Sequence, residues 1–223
     1  MAQQLGLALP SRAALGRDDF FVAPSNAVAA AMIDAWPEWA GGKLALTGPT
    51  GSGKTHLTHV WAAMSGARII AAADVAGADI PALAQAPVAV EDVPDIAGDT
   101  KAETALFHLH NLVLAEGHSL LLTGTPPVAQ WHLTLPDLTS RTRAAGSAAL
   151  EAPDDMLLTG VLAKLLSDRQ LTPKPDLIPY LLARMDRSFA AAGALVAALD
   201  AASLAQKKPV TRSLAAQVLD KTG

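Results

Sequence analysis

Residues 48 to 55, with the sequence GPTGSGKT, match the pattern G-x-x-x-x-G-K-[ST] that binds phosphate groups. They follow a short apolar run and precede a helix-compatible stretch, residues 56 to 64. Glycines let successive backbone N–H groups face inward, and the positive end of the following helix adds to the anion site. We predict that Lys54 reaches the β and γ phosphates and that Thr55 ligates Mg²⁺. The nucleotide contacts predicted here are Pro49, Thr50, Gly51, Ser52, Gly53, Lys54, Thr55 and His56.

Two adjacent acids, Glu91 and Asp92, follow a later apolar run, about forty residues after the phosphate motif. A phosphate site of this kind needs a carboxylate that holds the metal, directly or through water, and polarises the attacking water. We predict Glu91 near the metal and Asp92 near the water. The alternative is that both are solvated acids that open a loop, since strand ends often carry acids.

The strands and helices that position these residues are predicted from short apolar runs, most of which are separated by helix-length stretches. This pattern is typical of a parallel sheet with crossover helices on its faces. The predicted fold class is therefore α/β, with a five-stranded parallel sheet flanked by helices. The runs are residues 43 to 47, 67 to 71, 87 to 90, 119 to 123 and, more weakly, 147 to 150.

Strand-like runs end after Pro153, where apolar positions begin to recur at helical spacing. Helices are predicted near residues 156 to 166, 176 to 185, 188 to 205 and 211 to 219, and another over residues 25 to 36. The sequence thus predicts three parts: a tail, an α/β nucleotide-binding domain and a small all-α domain. Their bounds are residues 1 to 17, 18 to 152 and 153 to 223.

The composition narrows the class of partner. There are 17 basic and 21 acidic residues, for a net charge of −4. Independent DNA binding usually needs a basic face, so we expect no direct sequence-specific DNA binding and any nucleic acid to be reached through another protein. The absence of cysteine agrees with a reducing compartment. With no apolar run of membrane-spanning length and no export signal, we expect a cytoplasmic protein without membrane contact.

Four segments of the chain resemble the bacterial replication initiator DnaA, an AAA+ ATPase. They are FVAPSN at residues 21 to 26, GKTHLTH at 53 to 59, PDLTSR at 136 to 141 and MDR at 185 to 187. The last two are similar to the arginine-finger and second-sensor motifs of that family. The resemblance covers about residues 18 to 220 and implies an AAA+ core followed by a helical lid. In DnaA a helix-turn-helix domain follows the lid, and this sequence ends before that point.

The N-terminal residues resemble those of the Hda family, the regulatory inactivators of DnaA. In that family a Gln-Leu-x-Leu-x-Leu tail docks on the DNA polymerase sliding clamp, and Gln4, Leu5, Leu7 and Leu9 fit this spacing. Alternate residues of an extended peptide point the same way, so the three leucines can enter one apolar groove while Gln4 makes polar contacts. The alternative is a disordered terminus with incidental leucines.

Carried over by position, the resemblance implies roles for four more residues. Val22 and Asn26 would lie near the adenine, and Arg187 on the lid would touch the phosphates. Arg141 would face a neighbouring subunit and act on ATP held by DnaA, because an arginine delivered from another subunit stabilises charge on the transferring γ phosphate. Without the family pattern, either arginine alone would suit a surface salt bridge.

Two positions depart from the family pattern. Glu91 stands where the family usually has aspartate, and Thr125 stands near a sensor position that is commonly acidic. Because of Glu91, the geometry of the metal site and the ATPase rate of the chain itself stay open. Because of Thr125, the case for sensing of the γ phosphate is weaker. Both departures are compatible with a protein that mainly holds ADP.

The resemblance therefore implies a clamp-tethered regulator that binds ADP or ATP with Mg²⁺ and promotes hydrolysis of ATP on DnaA. Exposed arginine fingers imply subunit contacts, so a homo-oligomer is also expected. One alternative is an adaptor of the helicase-loader or initiator-accessory class, which would contact helicase or DNA. Another is a P-loop kinase of small molecules, although the sequence identifies no acceptor site.

Overall fold

The computed structural model describes residues 20 to 222, in which a five-stranded parallel sheet is followed by a bundle of helices. The strand order is β2-β3-β4-β1-β5. All of the pairings are parallel, as the separation of the strands by helices predicts. The strands are β1 (Lys43–Thr47), β2 (Arg68–Ala71), β3 (Val88–Glu91), β4 (Leu120–Gly124) and β5 (Gly146–Ala149).

Helices cover both faces of the sheet, so the central strands are covered on both sides. Every residue of β1 and β4 is buried, because neither face of these strands meets water. The two outer strands, β2 and β5, are shorter and more exposed. The helices of this part are α1 (Ala27–Asp34), α2 (Lys54–Ser65), α3 (Ile80–Leu83), α4 (Thr100–Ala115) and α5 (Pro136–Arg143).

Each face of the sheet has its own apolar core. One core joins α1 and α2 to the sheet and includes the stacked rings of Trp39 and Trp61, whose centroids are 5.1 Å apart. The other joins α4 and α5 to the opposite face, with Leu106, Leu109 and Leu138 fully buried. The sheet is therefore fixed from both sides, which gives the loops at its edges a rigid base.

The C-terminal helices form a third apolar core, separate from the sheet, and we call this part the lid. Asp154 and Ser188 begin two of these helices as N-caps, each accepting a hydrogen bond from a first-turn backbone N–H. Leu162, Leu181 and Leu199 come from three different helices and are fully buried together. The helices are α6 (Asp155–Asp168), α7 (Leu177–Leu182), α8 (Phe189–Gln206) and α9 (Arg212–Thr222).

The predicted fold class is confirmed, with five parallel strands close to the five apolar runs and helices thereafter. The first helix differs, since it spans Ala27–Asp34 rather than residues 25 to 36. Asn26 precedes it but makes no capping hydrogen bond to the helix. Its side chain instead forms hydrogen bonds with the preceding loop: Oδ1 accepts from the Ala23 amide and Nδ2 donates to the Phe21 carbonyl.

Helix α8 is, among the described helices, the one long and apolar enough to cross a membrane by length and composition, with a mean hydropathy of 1.5. Its alanine content accounts for much of that hydropathy. Ala192, Val196 and Leu199 are fully buried within the lid core. Asp200 on the same helix lies 4.0 Å from Arg169 of the lid. These contacts are those of a helix packed in a bundle.

Candidate nucleotide site

The phosphate loop, residues 48 to 55, connects the carboxyl end of β1 to the first turn of α2. Gly51 and Gly53 have φ values of 77° and 100°, in the region that favours glycine. A Cβ at Gly51 would lie 2.5 Å from Cβ of Ser188, and one at Gly53 would lie 2.8 Å from the ring of Phe189. The two glycines are therefore required both by backbone conformation and by close contact with the lid.

Lys54 is buried at the start of α2, with 8% of its surface exposed. Its Nζ donates hydrogen bonds to the carbonyls of Gly48, at 2.8 Å, and Pro49, at 3.1 Å. Burial lowers the pKa of the Lys54 ammonium, while the nearby carboxylates of Asp92 and Glu91 raise it. The ammonium thus lies inside the loop, next to the backbone that would surround a phosphate group.

A cavity of about 640 Å³ lies beside the phosphate loop, between the carboxyl edge of the sheet and the lid. Ligands of open α/β sheets bind at this edge. Among the described residues that line the cavity, Lys54 is the only lysine or arginine. The lining residues are Thr50, Gly51, Gly53, Lys54, Thr55, His56, Asp92, Asp95, Thr125, Phe189 and Ala190.

The acidic side of the cavity is formed by Asp92 and Asp95, whereas Glu91 is half-buried and is not part of its lining. Asp92 has a left-handed backbone, with φ of 56°, and its amide donates to Oγ1 of Thr123 at 3.1 Å. This bond ties the end of β3 to the end of β4. The strand-end carboxylate that faces the cavity is therefore Asp92, and it is joined there by Asp95, which no sequence motif indicated.

The metal prediction named Thr55 and Glu91, and Thr55 is exposed in the cavity. No group of three potential metal ligands from histidine and acidic side chains occurs in residues 20 to 222. Mg²⁺ is commonly bound by one or two protein oxygens together with phosphate oxygens and water. The Thr55 hydroxyl and one strand-end carboxylate suit such a shared site, and a cation site made by protein alone does not fit.

The residues predicted near the adenine lie on the loop that precedes α1. Val22 is half exposed, and the buried Asn26 side chain holds this loop through its bonds to Phe21 and Ala23. Neither Val22 nor Asn26 lines the cavity beside the phosphate loop. The Phe21 ring lies against α6, 3.5 Å from where a Cβ on Gly160 would stand. This loop therefore joins the lid to the sheet domain.

The lid meets the phosphate loop at the first residues of α8. The amide of Phe189 donates to the Gly51 carbonyl at 3.4 Å, and the ring packs on Gly53. Ala190 follows in the cavity wall. Arg187 does not line this cavity, and its guanidinium pairs with Asp155 at 2.7 Å on the exposed face of the lid. An uncharged surface of the lid thus faces the loop.

The arrangement of these parts is shared with solved structures of other proteins. Domain III of the DnaA protein of Thermotoga maritima superposes with a TM-score of 0.79 and 17% identity, over 96% of this chain and 98% of that one. The chain has a DnaA-like AAA+ fold. No family model matches the sequence.

Two further structures with the AAA+ fold extend the comparison. A DnaA initiator bound to AMPPCP and single-stranded DNA gives a TM-score of 0.69 at 19% identity, over 81% of this chain. The RuvB protein of Thermotoga maritima, as a variant with one substitution, gives 0.64 at 17% identity, over 80% of this chain. The present chain spans 62% of the length of that initiator and 61% of RuvB.

Arg141, the predicted arginine finger, lies in the last turn of α5, at the opposite edge of the AAA+ sheet from the phosphate loop. Its carbonyl accepts from Nζ of Lys43, the first residue of β1, at 2.9 Å. Strand β1 then runs roughly 13 Å to its carboxyl end, where the phosphate loop begins. Within residues 20 to 222, the exposed Arg141 side chain forms no hydrogen bond or ion pair and does not line the cavity beside the phosphate loop.

The start of α5 is anchored by Glu103, a fully buried carboxylate on α4. The carboxylate accepts hydrogen bonds from the amides of Gly98, Thr134 and Leu135, at 2.6 to 3.0 Å. Burial alone would raise the pKa of Glu103, but these backbone donors, together with the Thr134 hydroxyl, hold that pKa below its usual value. One ionised side chain therefore joins α4 to the two residues that precede α5.

Glu103→Gln is expected to destabilise the protein by about 2 to 3 kcal/mol at pH 7, because an amide cannot accept from all of these donors. Since the pKa of Glu103 is lower in the folded protein, its stabilisation is complete above the unfolded value of about 4.3. It is lost as the pH falls through the folded value. The difference in unfolding free energy between wild type and Glu103→Gln should therefore shrink from pH 7 to pH 3 in urea titrations.

The matched control for this experiment is Glu116→Gln, at an exposed glutamate that follows the same helix. It should leave the unfolding free energy at pH 7 within about 0.5 kcal/mol of wild type, as surface substitutions usually do. Equal losses in the two variants at pH 7 would contradict the anchoring role of Glu103.

Three residues that no sequence motif indicated also line the cavity: Asp95, Phe189 and Ala190. Asp95 lies three residues after Asp92 in a short 3₁₀ turn, Val93–Ile96. This short spacing along the chain could have indicated that the two carboxylates lie close together. The other two approach the phosphate loop from more than 130 residues away along the chain, and no local pattern indicates such a contact. The tail residues Gln4, Leu5, Leu7 and Leu9 lie outside the described residues.

Proposed function

We propose that this chain is a DnaA-like AAA+ regulator of replication initiation that binds ADP or ATP with Mg²⁺ and stimulates hydrolysis of ATP held by DnaA. The product would be ADP-bound DnaA, which limits re-initiation. The proposal places the chain in the cytoplasm and gives it a weak ATPase activity at most. Its main effect would be on another protein's nucleotide.

The observation that carries this proposal is the separation of Arg141 from the chain's own phosphate loop. The side chain of Arg141 is exposed, has no hydrogen-bond or ion-pair partner among residues 20 to 222, and lies at the opposite edge of the sheet from that loop. A guanidinium placed there is suited to a nucleotide bound by a neighbouring protein rather than to its own. It would stabilise the charge that develops on the transferring γ phosphate.

The chain's own site is suited to holding a nucleotide firmly with little hydrolysis. Backbone amides of the phosphate loop and the Lys54 ammonium would bind the phosphates, with Thr55 and a strand-end acid as protein ligands of Mg²⁺. A bound nucleotide supplies the phosphoryl group on which hydrolysis would act. Asp92 is the carboxylate placed to orient water, while no lysine or arginine of the lid lines the described cavity. A nucleotide would therefore meet one cation, Lys54, from this chain.

The resemblance of Gln4, Leu5, Leu7 and Leu9 to a clamp-docking tail supplies the second partner, the DNA polymerase sliding clamp. A peptide can bind in this way as an extended segment that inserts alternate leucines into an apolar groove, without being part of a folded domain itself. Docking would place the chain on replicated DNA, so that contact with DNA is made through the clamp. Its local concentration near DnaA at replicated sites would rise accordingly.

The decisive experiment measures conversion of DnaA-bound ATP to ADP with and without this chain, in the presence and absence of DNA-loaded clamp. We expect stimulation that depends on both the chain and the clamp. Deleting residues 1 to 9 should remove clamp binding and the clamp-dependent part of the stimulation, because the docking residues are lost. It should leave ADP affinity unchanged, since the phosphate loop is intact.

A matched control replaces Gln3 and Gly6 with alanine, which alters the tail but keeps the proposed docking residues. Clamp binding that persists after deletion of residues 1 to 9 would contradict the tethering. A chain that binds helicase in pull-down experiments and leaves DnaA-bound ATP unchanged would favour the helicase-loader class instead.

A further inference from the structure

Lys43 is a buried cation that lies far from the nucleotide cavity. It is the first residue of β1 and is 7% exposed. Its Nζ lies 2.9 Å from the carbonyl oxygen of Arg141 and 3.3 Å from Nε2 of His110. No carboxylate in the described part of the chain forms a salt bridge with it. Burial, and to a lesser extent the charge of Arg141, lower the pKa of the Lys43 ammonium, so this environment disfavours the charge that it holds.

The neighbouring imidazole is oriented to accept from Lys43. His110 is 2% exposed, and its Nδ1 lies 3.2 Å from Oδ1 of Asn111. Because the amide oxygen can only accept, Nδ1 carries the proton and the lone pair of Nε2 faces Lys43. The ammonium therefore donates to two acceptors, one of which is the backbone of the residue that we propose as the arginine finger.

Both ends of α5 are thus bound by buried charged groups from different elements. Glu103 of α4 accepts from the residues just before the helix, and Lys43 of β1 donates to a carbonyl in its last turn. A cation at the carboxyl end of a helix also complements the partial negative charge there. Leu138 and Thr142 bury the face of the helix between these two points. The axial position and the rotation of α5 are fixed together.

We propose that Lys43 is a positioning residue for the arginine finger: its ammonium holds the Arg141 carbonyl, so that the guanidinium is presented in one place to a nucleotide on another protein. The inference rests on the proposed function, since it requires that Arg141 acts on that nucleotide. A displacement of the guanidinium by about 1 Å is enough to reduce the rate of such a reaction by roughly 10²-fold.

The test measures turnover of DnaA-bound ATP with Lys43→Met, which keeps the length of the buried chain and removes the donor. We expect the maximal stimulation to fall about tenfold, while the concentration giving half-maximal stimulation and the affinity for ADP stay unchanged. The melting temperature should change little, because removing a buried ammonium that has no carboxylate partner among the described residues offsets the loss of its two hydrogen bonds. Lys43→Arg keeps a donor and should restore most of the stimulation.

Arg141→Ala and the double variant with Lys43→Met separate the two proposals. If the positioning role holds, Lys43→Met causes no further loss in the Arg141→Ala background, because the group that it positions is already absent. If Lys43→Met stimulates fully while Arg141→Ala is inactive, the positioning role is wrong but the proposed function stands. The positioning role would also be wrong if Lys43→Arg lost as much stimulation as Lys43→Met. Full stimulation by Arg141→Ala would overturn the proposed function.

Discussion

Replacing Arg141 with alanine is expected to lower the stimulated turnover of DnaA-bound ATP by roughly 10³-fold or more. An arginine supplied by a neighbouring protein stabilises charge that is present only in the transition state, so its loss falls on the rate. The variant should keep its fold, because the side chain is exposed and has no partner within residues 20 to 222. Single-turnover measurement of ADP formation on preloaded DnaA gives the ratio directly.

Arg184→Ala is the matched control for that experiment, since it removes one exposed arginine from a surface of the lid. Its guanidinium stacks over Tyr180 at 4.0 Å, and it is not part of the nucleotide cavity. We expect this variant to stimulate as well as wild type. Equal losses in the two variants would mean that the effect follows net charge, and full activity of Arg141→Ala would remove Arg141 from the role of arginine finger.

Lys54→Ala should weaken binding of ADP by roughly 100-fold. A hydrogen bond to a charged group is worth about 1.5 to 3 kcal/mol, and Lys54 is the only lysine or arginine among the described residues that line the cavity. Titration with a fluorescent ADP analogue, competed with unlabelled ADP, measures the change. Because binding stabilises the folded state, the increase in melting temperature caused by ADP should also become smaller.

Lys101→Ala removes a lysine from an exposed position in the first turn of α4 and serves as the control. Its ADP affinity should equal that of wild type. Unchanged affinity in Lys54→Ala would contradict the assignment of residues 48 to 55 as the phosphate site, and with it the central part of the proposed function.

The fold was predictable because the strongest sequence signals are local ones. Runs of buried apolar residues such as Leu120 to Leu122 predict a central strand, and the glycines of the phosphate loop mark the turn from strand to helix. The order of the strands in the sheet was not predictable in this way, because no local signal in the sequence indicates that β4 lies between β1 and β3. That order depends on how distant segments pack, so the apolar runs alone could not predict it.

The candidate site was predictable only where its residues directly follow a strand that the sequence predicts. The phosphate loop follows β1 and Asp92 follows β3, and both line one cavity at the carboxyl edge of the sheet. Glu103, Lys43 and His110 were missed because a charged residue on a helix or strand usually points to water, and burial is decided by distant segments. The part played by Arg187 stays a prediction, although its salt bridge with Asp155 holds it on the outside of the lid.

The contact between α8 and the phosphate loop is made by a main-chain amide and a phenyl ring, and neither group is ionic. Added salt screens attraction between exposed charges but has little influence on a contact of this kind. The proposed contact of Lys54 with phosphate and the packing of the lid on Gly51 and Gly53 therefore differ in their response to ionic strength. A rise in ionic strength should therefore weaken binding of nucleotide before it changes the contact between the lid and the phosphate loop.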